Sequence, residues 1–268
     1  MGAKARVWLG RGLLATAIGA GVALVLGLGV IVPPVKAALL LAGAGLGLVV
    51  AVRQIPAFDL RARVRWRLPA RRGRVCALTF DDGPSAHTPR VLDVLARYQV
   101  KATFFVLADN GFRHQAALRR LAEEGHVVAV HGVSHAKLHR AGASQIEAEL
   151  VAATTKLCEL GVSPARLYRP PHGFKNTALL RVARRLGFQV WAWSRGIWDT
   201  DRPPPQVLVR RATRWACSGM VLLLHDGRGD EEQPDIEAML SALPQIIERL
   251  RARGFRFVTL TNGDATAG

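Results

Sequence analysis

Val75-Cys76-Ala77-Leu78-Thr79-Phe80-Asp81-Asp82-Gly83-Pro84 is an apolar run that stops on two adjacent carboxylates and a Gly-Pro turn. A short apolar run bounded by turn residues reads as a buried strand, so its end delivers Asp81 and Asp82 to a loop. Neighbouring carboxylates repel unless something positive lies beside them. A divalent cation could bind one and leave the other free as a base, which makes the downstream His131 and His135 the natural partners.

Working outward, the apolar segments at 75–80, 102–107, 127–131, 166–169, 188–194, 220–225 and 255–260 read as strands. Helical patterns fill the spaces between them at 89–98, 112–124, 144–160, 177–186, 206–216 and 235–253, and several stop at Gly125, Gly161, Gly187 or Gly254. Strands alternating strictly with helices imply an α/β fold on a parallel sheet of about seven strands, open or closed into a barrel. No repeat or low-complexity tract interrupts the alternation.

Function in such folds collects where the strands end. Asp81 and Asp82 end the first strand, His131 the third, Arg169 the fourth and His225 the sixth, with Asp199 just past the fifth. His131 and His135 lie four residues apart, which on a helical turn points both the same way. With one carboxylate they make a site suited to zinc or another divalent transition metal, although the pair alone is more often two satisfied or exposed histidines. Arg169 leads into the stiff Pro170-Pro171-His172-Gly173 turn. Its functional reading pairs it with a catalytic carboxylate while the loop offers a backbone N–H to an oxyanion; the plain one is a structural turn. His225, followed by Asp226, is either a proton donor or a core histidine capped by its neighbour.

The N-terminal quarter has a different character. Residues 1–74 carry 12 Lys/Arg against one acid, and residues 75–268 carry 25 against 19, so most of the net +17 lies before the strand run. Beside a long apolar region this charge suits anionic lipid headgroups rather than nucleic acid. Residues 13–32 have no charge and 35–52 only Lys36; at 1.5 Å per residue each can cross a hydrocarbon core of roughly 30 Å. Two transmembrane helices turning at Pro33-Pro34 are therefore expected, packed through their glycines. Lys4, Arg6 and Arg11 on one flank, and Arg53 with 61–74 on the other, put both ends in the cytoplasm. In residues 61–68 arginine alternates with apolar groups, which fits either a ribbon at the headgroups anchored by Trp66 or an ordinary edge strand. Cys76, Cys158 and Cys217 are too few and too widely spaced for a disulfide framework and read as buried and free.

Together, TFDDGP (79–84), HGVSH (131–135), RPPHG (169–173), WSRGIWD (193–199) and LLH (223–225) resemble the ordered motifs of the polysaccharide deacetylases of carbohydrate esterase family 4, the NodB homology domain. The resemblance covers about residues 74–262. With the reading of the N-terminal quarter, the chain divides into a membrane anchor (1–53), a basic linker (54–73), a catalytic domain (74–262) and a tail (263–268). The resemblance implies a distorted (β/α) barrel and metal-dependent removal of an acyl group, usually acetyl, from a carbohydrate. Carried over residue by residue, it makes Asp82, His131 and His135 metal ligands for zinc, with cobalt, nickel or manganese as alternatives. Asp81 becomes the general base paired with Arg169, and His225 the general acid tuned by Asp199. His172 lends a backbone N–H, Trp193 a groove wall, and Leu223 flanks the acetyl pocket. Gly132, His172 and Thr200 depart from the usual pattern at positions that bear on substrate.

The expected activity is thus a membrane-bound deacetylase of a cell-wall polysaccharide, exopolysaccharide or chitooligosaccharide. A deacylase of a lipid-linked sugar at the cytoplasmic face is the alternative that the charge pattern raises. A non-catalytic binding module is the alternative of another class, and it has no physical need for Asp81, Asp82, His131, His135, Arg169 and His225 together.

Overall fold

A computed structural model describes residues 64–69, 73–229 and 231–261. Among the described residues there are eight strands and seven α-helices, mostly in alternation. They run β1 (Arg74–Asp81), α1 (Thr88–Arg97), β2 (Thr103–Leu107), α2 (Ala108–Arg113), α3 (Gln115–Glu123), β3 (Val127–Gly132) and α4 (Ala143–Glu159), then β4 (Ala165–Tyr168), α5 (Thr177–Arg185), β5 (Gln189–Val190), β6 (Arg195–Gly196), α6 (Pro205–Thr213), β7 (Met220–His225), α7 (Glu237–Ala252) and β8 (Phe255–Phe257).

All strand pairs are parallel, in the order β5-β4-β3-β2-β1-β7-β6. The sheet curls, because its two edge strands belong to one stretch of chain. Residues 189–190 pair with β4, and residues 195–196 pair with β7. What reads from sequence as one strand at 188–194 is therefore two short ones flanking the seam of an incomplete barrel.

Residues 64–68 fill that seam. Arg65 N–H donates to the Val190 carbonyl at 2.9 Å, Ala192 N–H to the Arg65 carbonyl at 2.7 Å, and Leu68 N–H to the Gly219 carbonyl at 2.9 Å. Val64 and Leu68 are buried, and Trp66 packs partly buried against the core. Of the two readings of the basic alternation, the described part takes the strand: its apolar residues find a protein interior, which removes that area from water more completely than a headgroup layer would. The barrel thus begins at least as early as Val64, inside the stretch expected to be a linker.

Alternation along the strands divides the core into two layers. Cys76, Leu78, Phe80, Phe104, Val128, Val130, Leu222 and Leu224 pack outward in the large cluster that the helices cover. Val75, Ala77, Phe105, Ala129, Leu167, Trp191 and Val221 form a smaller cluster inside the barrel. At roughly 1.5–3 kcal/mol per fully buried large apolar side chain, the outer layer carries most of the stabilisation, which frees the mouth of the interior for polar groups.

Two other elements differ from their sequence reading for local reasons. The strand expected at 255–260 is three residues long because β2 occupies the edge of β1 from Thr79 onward, leaving β8 only Arg74 to Cys76. The helix expected at 112–124 is two helices hinged at His114, whose φ/ψ of −123°/50° is not helical. The three cysteines are free, but only Cys76 is buried; Cys158 and Cys217 are exposed. Among the described residues no helix is long and apolar enough to cross a membrane. The spans expected at 13–32 and 35–52, and the tail 263–268, lie outside the described residues.

Candidate active site

The same alternation that builds the inner layer brings the polar residues together. Asp81 is in phase with Val75 and Ala77, His131 with Ala129, Arg169 with Leu167, Trp193 with Trp191, and His225 with Val221 and Leu223. All stand at or just past the C-terminal ends of their strands, so they converge on one mouth. Register sharpens this, since Asp81 is aligned with His225 on β7. Asp82 would face the other way in a continuing strand. Its φ of +71° turns the chain instead, a conformation that Asp tolerates better than most residues, and both carboxylates reach the same side.

Asp82 Oδ1 lies 3.1 Å from Nε2 of His131 and 3.1 Å from Nε2 of His135. The three ligand atoms fall within 4.8 Å of one another, and Asp82 Oδ1 is buried without a hydrogen-bond partner. His131 Nδ1 is 2.7 Å from the Arg169 carbonyl, which can only accept. That contact keeps the proton on Nδ1, which donates it to the carbonyl, and turns the Nε2 lone pair toward Asp82. Electron-rich atoms this close need positive charge between them, supplied either by a proton on each imidazole or by one divalent cation bound to all three. Hence the donor set fits a two-histidine, one-carboxylate metal site with open positions. Burial pushes the Asp82 carboxyl up, but His131, His135 and the charge near His225 outweigh it and hold the group well below the usual carboxylate range.

Residues that sequence reasoning passed over hold these ligands in place. Asp82 Oδ2 accepts from Gly229 N–H at 3.0 Å, and Asn110 Nδ2 donates to the carbonyls of Asp82 and Gly229, both at 2.7 Å. Glu149 accepts from Val133 N–H at 2.8 Å and braces the histidine loop. Gly83 packs directly on Asp226: a Cβ there would stand 2.1 Å from Asp226 Oδ2. Asp226 in turn accepts from Thr88 Oγ1 at 2.6 Å, and burial together with Asp82 and Asp81 pushes its carboxyl up to about 7. Asp226 was legible as a neighbour of His225, but its role as a buried prop for the Asp82-Gly83 turn depends on a contact across 143 residues of chain.

Beside the ligands, Arg169 Nη1 donates to Asp81 Oδ1 at 2.6 Å and to Thr79 Oγ1 at 2.9 Å, while Nη2 donates to the Ala192 carbonyl at 2.9 Å. Its guanidinium lies 4.0 Å from the Phe105 ring centroid. Fully buried and held on three sides, Arg169 fixes Asp81 while leaving Oδ2 toward the mouth, 3.9 Å from His131 Nε2. His225 is anchored by Asp199, whose Oδ2 accepts from the backbone N–H at 2.8 Å and whose Oδ1 lies 2.9 Å from Nδ1. Burial lowers the His225 pKa, yet Asp199, Asp82 and Asp81 outweigh it and raise it to about 9. A carboxylate of fixed orientation, an imidazole held by its own carboxylate and a set of ligand atoms that could hold a cation are the kinds of group that acyl-bond hydrolysis uses.

The expected wall residues are also at the mouth. The His172 ring centroid lies 4.2 Å from that of His135 with the planes tilted by 49°, in a turn where His172 itself has φ +59°. Burial, and then the charge of His135, push its pKa down to about 4. Trp193 presses on Gly173, where a Cβ would lie 2.6 Å from Cη2, so glycine is needed for that approach as well as for its φ of +70°. Leu223 is aligned with Thr79 on one side and Gly196 on the other. The structure thus brings all ten sequence-nominated residues to one end of the barrel.

Comparison with known proteins agrees with this geometry. A family model described as "Polysaccharide deacetylase" matches residues 69–191. A peptidoglycan-N-acetylglucosamine deacetylase of Bacillus cereus is 32% identical over 201 residues, 74% of this chain and 91% of the relative. A chitooligosaccharide deacetylase of Rhizobium leguminosarum bv. trifolii is 35% identical over 190 residues, 68% and 88% of the two chains. Among solved structures, a peptidoglycan N-acetylglucosamine deacetylase superposes with a TM-score of 0.73 at 28% identity, over 79% of this chain and 97% of that one.

Proposed function

This chain belongs to the polysaccharide deacetylase family, and from that premise we propose that it is a metal-dependent hydrolase removing acetyl from the nitrogen of an amino sugar in a glycan, working from a membrane anchor. One observation carries the reading: three ligand atoms of Asp82, His131 and His135 converge beside an Asp81 carboxylate that Arg169 already holds.

Asp82, His131 and His135 would hold a divalent cation, which when bound would supply Lewis acidity toward the acyl oxygen and toward water. Asp81 Oδ2, free of the Arg169 fork, takes the proton of the attacking water. Arg169 Nη1 holds Asp81 Oδ1 and also donates to Thr79 Oγ1 on the same strand, which fixes the guanidinium beside the base. His225 gives its proton to the departing nitrogen from Nε2, since Asp199 occupies Nδ1. Trp193 and Leu223 line the side on which the acyl group and sugar would pack, and His172 offers its backbone N–H at the turn.

Acetate release from N-acetylglucosamine oligomers and from peptidoglycan fragments tests this reading. The full chain should release acetate from at least one, lose the activity on chelation and regain it with zinc. Undiminished release after complete metal removal would contradict it.

The charge of the first 74 residues favours a second reading of the substrate. Basic residues on both flanks of 13–52, against Lys36 alone in the turn, put the barrel on the cytoplasmic face, where an acylated sugar is met on a lipid carrier rather than in a finished polymer. Reporter fusions after residue 73 decide between them: a cytoplasmic signal supports the precursor, and an external one the polymer.

A further inference from the structure

At the closed end of the barrel, the turn 213–218 leads from α6 into β7, and arginines from four other segments gather round it. Arg67 Nη2 donates to the Ser218 carbonyl at 2.8 Å and to Cys217 Sγ at 2.9 Å, and Arg195 Nη2 to the Trp215 carbonyl at 3.1 Å. Arg253 donates to the Thr213 carbonyl, and Arg74 Nη1 to the Arg253 carbonyl at 3.2 Å. We propose that this sector is a docking face for an anionic lipid bilayer, with Trp215 entering the headgroup layer and the arginines around it meeting lipid phosphates. The inference stands apart from the hydrolytic reading.

Three observations point to a membrane surface. First, the charge is uncompensated. The stretches that supply these residues, 64–80, 188–198, 202–225 and 249–261, contain no Asp or Glu. Among the described residues none of Arg67, Arg74, Arg195, Arg214 and Arg253 forms an ion pair with a carboxylate. Arg210 and Arg214 are exposed one turn apart at the end of α6, where like charges repel unless an anion lies over them. Second, Trp215 is 64% exposed, and the Arg214 guanidinium lies 4.9 Å from its ring centroid. An indole beside a cation has the apolar body and polar surroundings that suit headgroup depth. Third, the apolar residues 13–52 end shortly before Val64, and the chain that follows them is bonded into this face, through Arg67 to Ser218 and through Leu68 N–H to the Gly219 carbonyl. A nucleic acid would use the charge but not the apolar stretch that leads to it.

The plain alternative is that cations at this end complement helix dipoles. That accounts for Arg214 and Arg253, at the ends of α6 and α7, but not for Arg67, Arg74 and Arg195, which belong to the seam and to strands. Nor does it account for the contrast across the same end of the barrel, where α3 and α4 run out at Glu123, Glu124 and Glu159. The cationic face is therefore one sector and not a property of helix ends. It is also remote from the chemistry, since the length of β1 separates Arg74 from Asp81, roughly 23 Å at about 3.3 Å per residue. With this sector on the headgroups, the mouth at the opposite strand ends opens away from the bilayer.

The native cysteines supply the test. Cys217 is exposed within the sector, Cys158 is exposed beside Glu159 and outside it, and Cys76 is buried. The full chain is placed in nanodiscs of phosphatidylcholine with or without added phosphatidylglycerol, and the rate at which an uncharged polyethylene glycol maleimide modifies each cysteine is followed by peptide mass mapping. Phosphatidylglycerol should slow Cys217 by about fivefold or more and leave Cys158 within about twofold, and about 0.5 M sodium chloride should erase the difference. An Arg210→Gln/Arg214→Gln chain should lose the protection, and an Arg210→Lys/Arg214→Lys chain should keep most of it. Both should release acetate from the N-acetylglucosamine tetramer within about twofold of the native chain, because the face lies far from the mouth. Equal Cys217 rates in the two discs, or equal slowing of Cys158, overturns the docking face. Slowing of Cys217 by a DNA duplex in phosphatidylcholine discs that matches the effect of phosphatidylglycerol assigns the arginines to polyanions at large and overturns the bilayer as their partner. Tetramer hydrolysis without protection sinks this inference and leaves the deacetylase reading standing; protection without hydrolysis of any acylated sugar does the reverse.

Discussion

Strand β3 begins just after one buried histidine and includes another near its end, and the two are wired in opposite senses. At the closed end of the barrel, His126 Nδ1 accepts the Ala102 N–H at 3.1 Å. At the open end, His131 Nδ1 faces the Arg169 carbonyl at 2.7 Å and must donate. The first histidine therefore spends its lone pair on the backbone and serves the fold. The second spends its proton on the backbone and keeps its lone pair for Asp82. Residue type and burial are the same; the partner of one ring nitrogen separates structure from chemistry.

Substitutions at the open end should give the largest effects and should act on rate. Asp81→Asn removes the base and is expected to lower kcat by about 10²–10⁴-fold, and it also lowers the melting temperature because buried Arg169 loses its carboxylate. Loss of His131 should be at least as severe, whereas His126→Gln, which can still accept the Ala102 N–H, should leave kcat within about threefold. If both histidine variants lost activity equally, the contrast between the two ends would break.

The second effect is a shift in pH. His225 must be protonated to donate, so activity falls as pH rises through its pKa, which burial lowers but the neighbouring carboxylates raise to about 9. Asp199→Asn removes the nearest of those carboxylates. It should move the alkaline limb of the kcat profile to lower pH and lower kcat at pH 8. An unmoved limb would show that another group sets it.

His126 makes the matching prediction for stability. Burial and then Lys101 push its pKa from 6.5 down to about 4, so the fold favours the neutral ring. The unfolded chain binds the proton first on acidification. Stability from this group is thus fully present above pH 6.5 and is lost as pH falls from 6.5 toward 4, by on the order of 3 kcal/mol. Urea titrations at several pH values should show that slope in the native chain and a shallower one in His126→Gln. The smallest effect is expected from Gly173→Ala, whose Cβ would crowd Trp193: KM for oligosaccharides should rise a few-fold with kcat nearly constant.

Much of this was legible before the structure. The strand ends at Asp81, His131, Arg169 and His225 follow from apolar runs that stop on polar residues, because a buried strand cannot carry such residues except where it emerges. The seam was not legible. Residues 190–193 are apolar and the stretch 188–194 looks continuous, and only the closing of the sheet decides that β4 takes its start and β7 the residues just past its end. Arg65 and Arg67 hid the role of their own segment, since the charge drew attention from Val64 and Leu68, which bury on the core. The bracing roles of Asn110, Glu149 and Asp226 were illegible for a further reason: each acts through a loop distant in sequence, and a single polar residue has no period to betray such a contact. Nor can a sequence state a tautomer, which is the feature that distinguishes His126 from His131.

The most direct measurement is zinc binding by the metal-stripped full chain, followed by equilibrium dialysis alongside acetate release. One ion per chain should bind, with hydrolysis returning in proportion, in both the native chain and His126→Gln, and His131→Ala should show neither. Acetate release by the stripped chain, or zinc held as tightly by His131→Ala as by the native protein, would contradict the account.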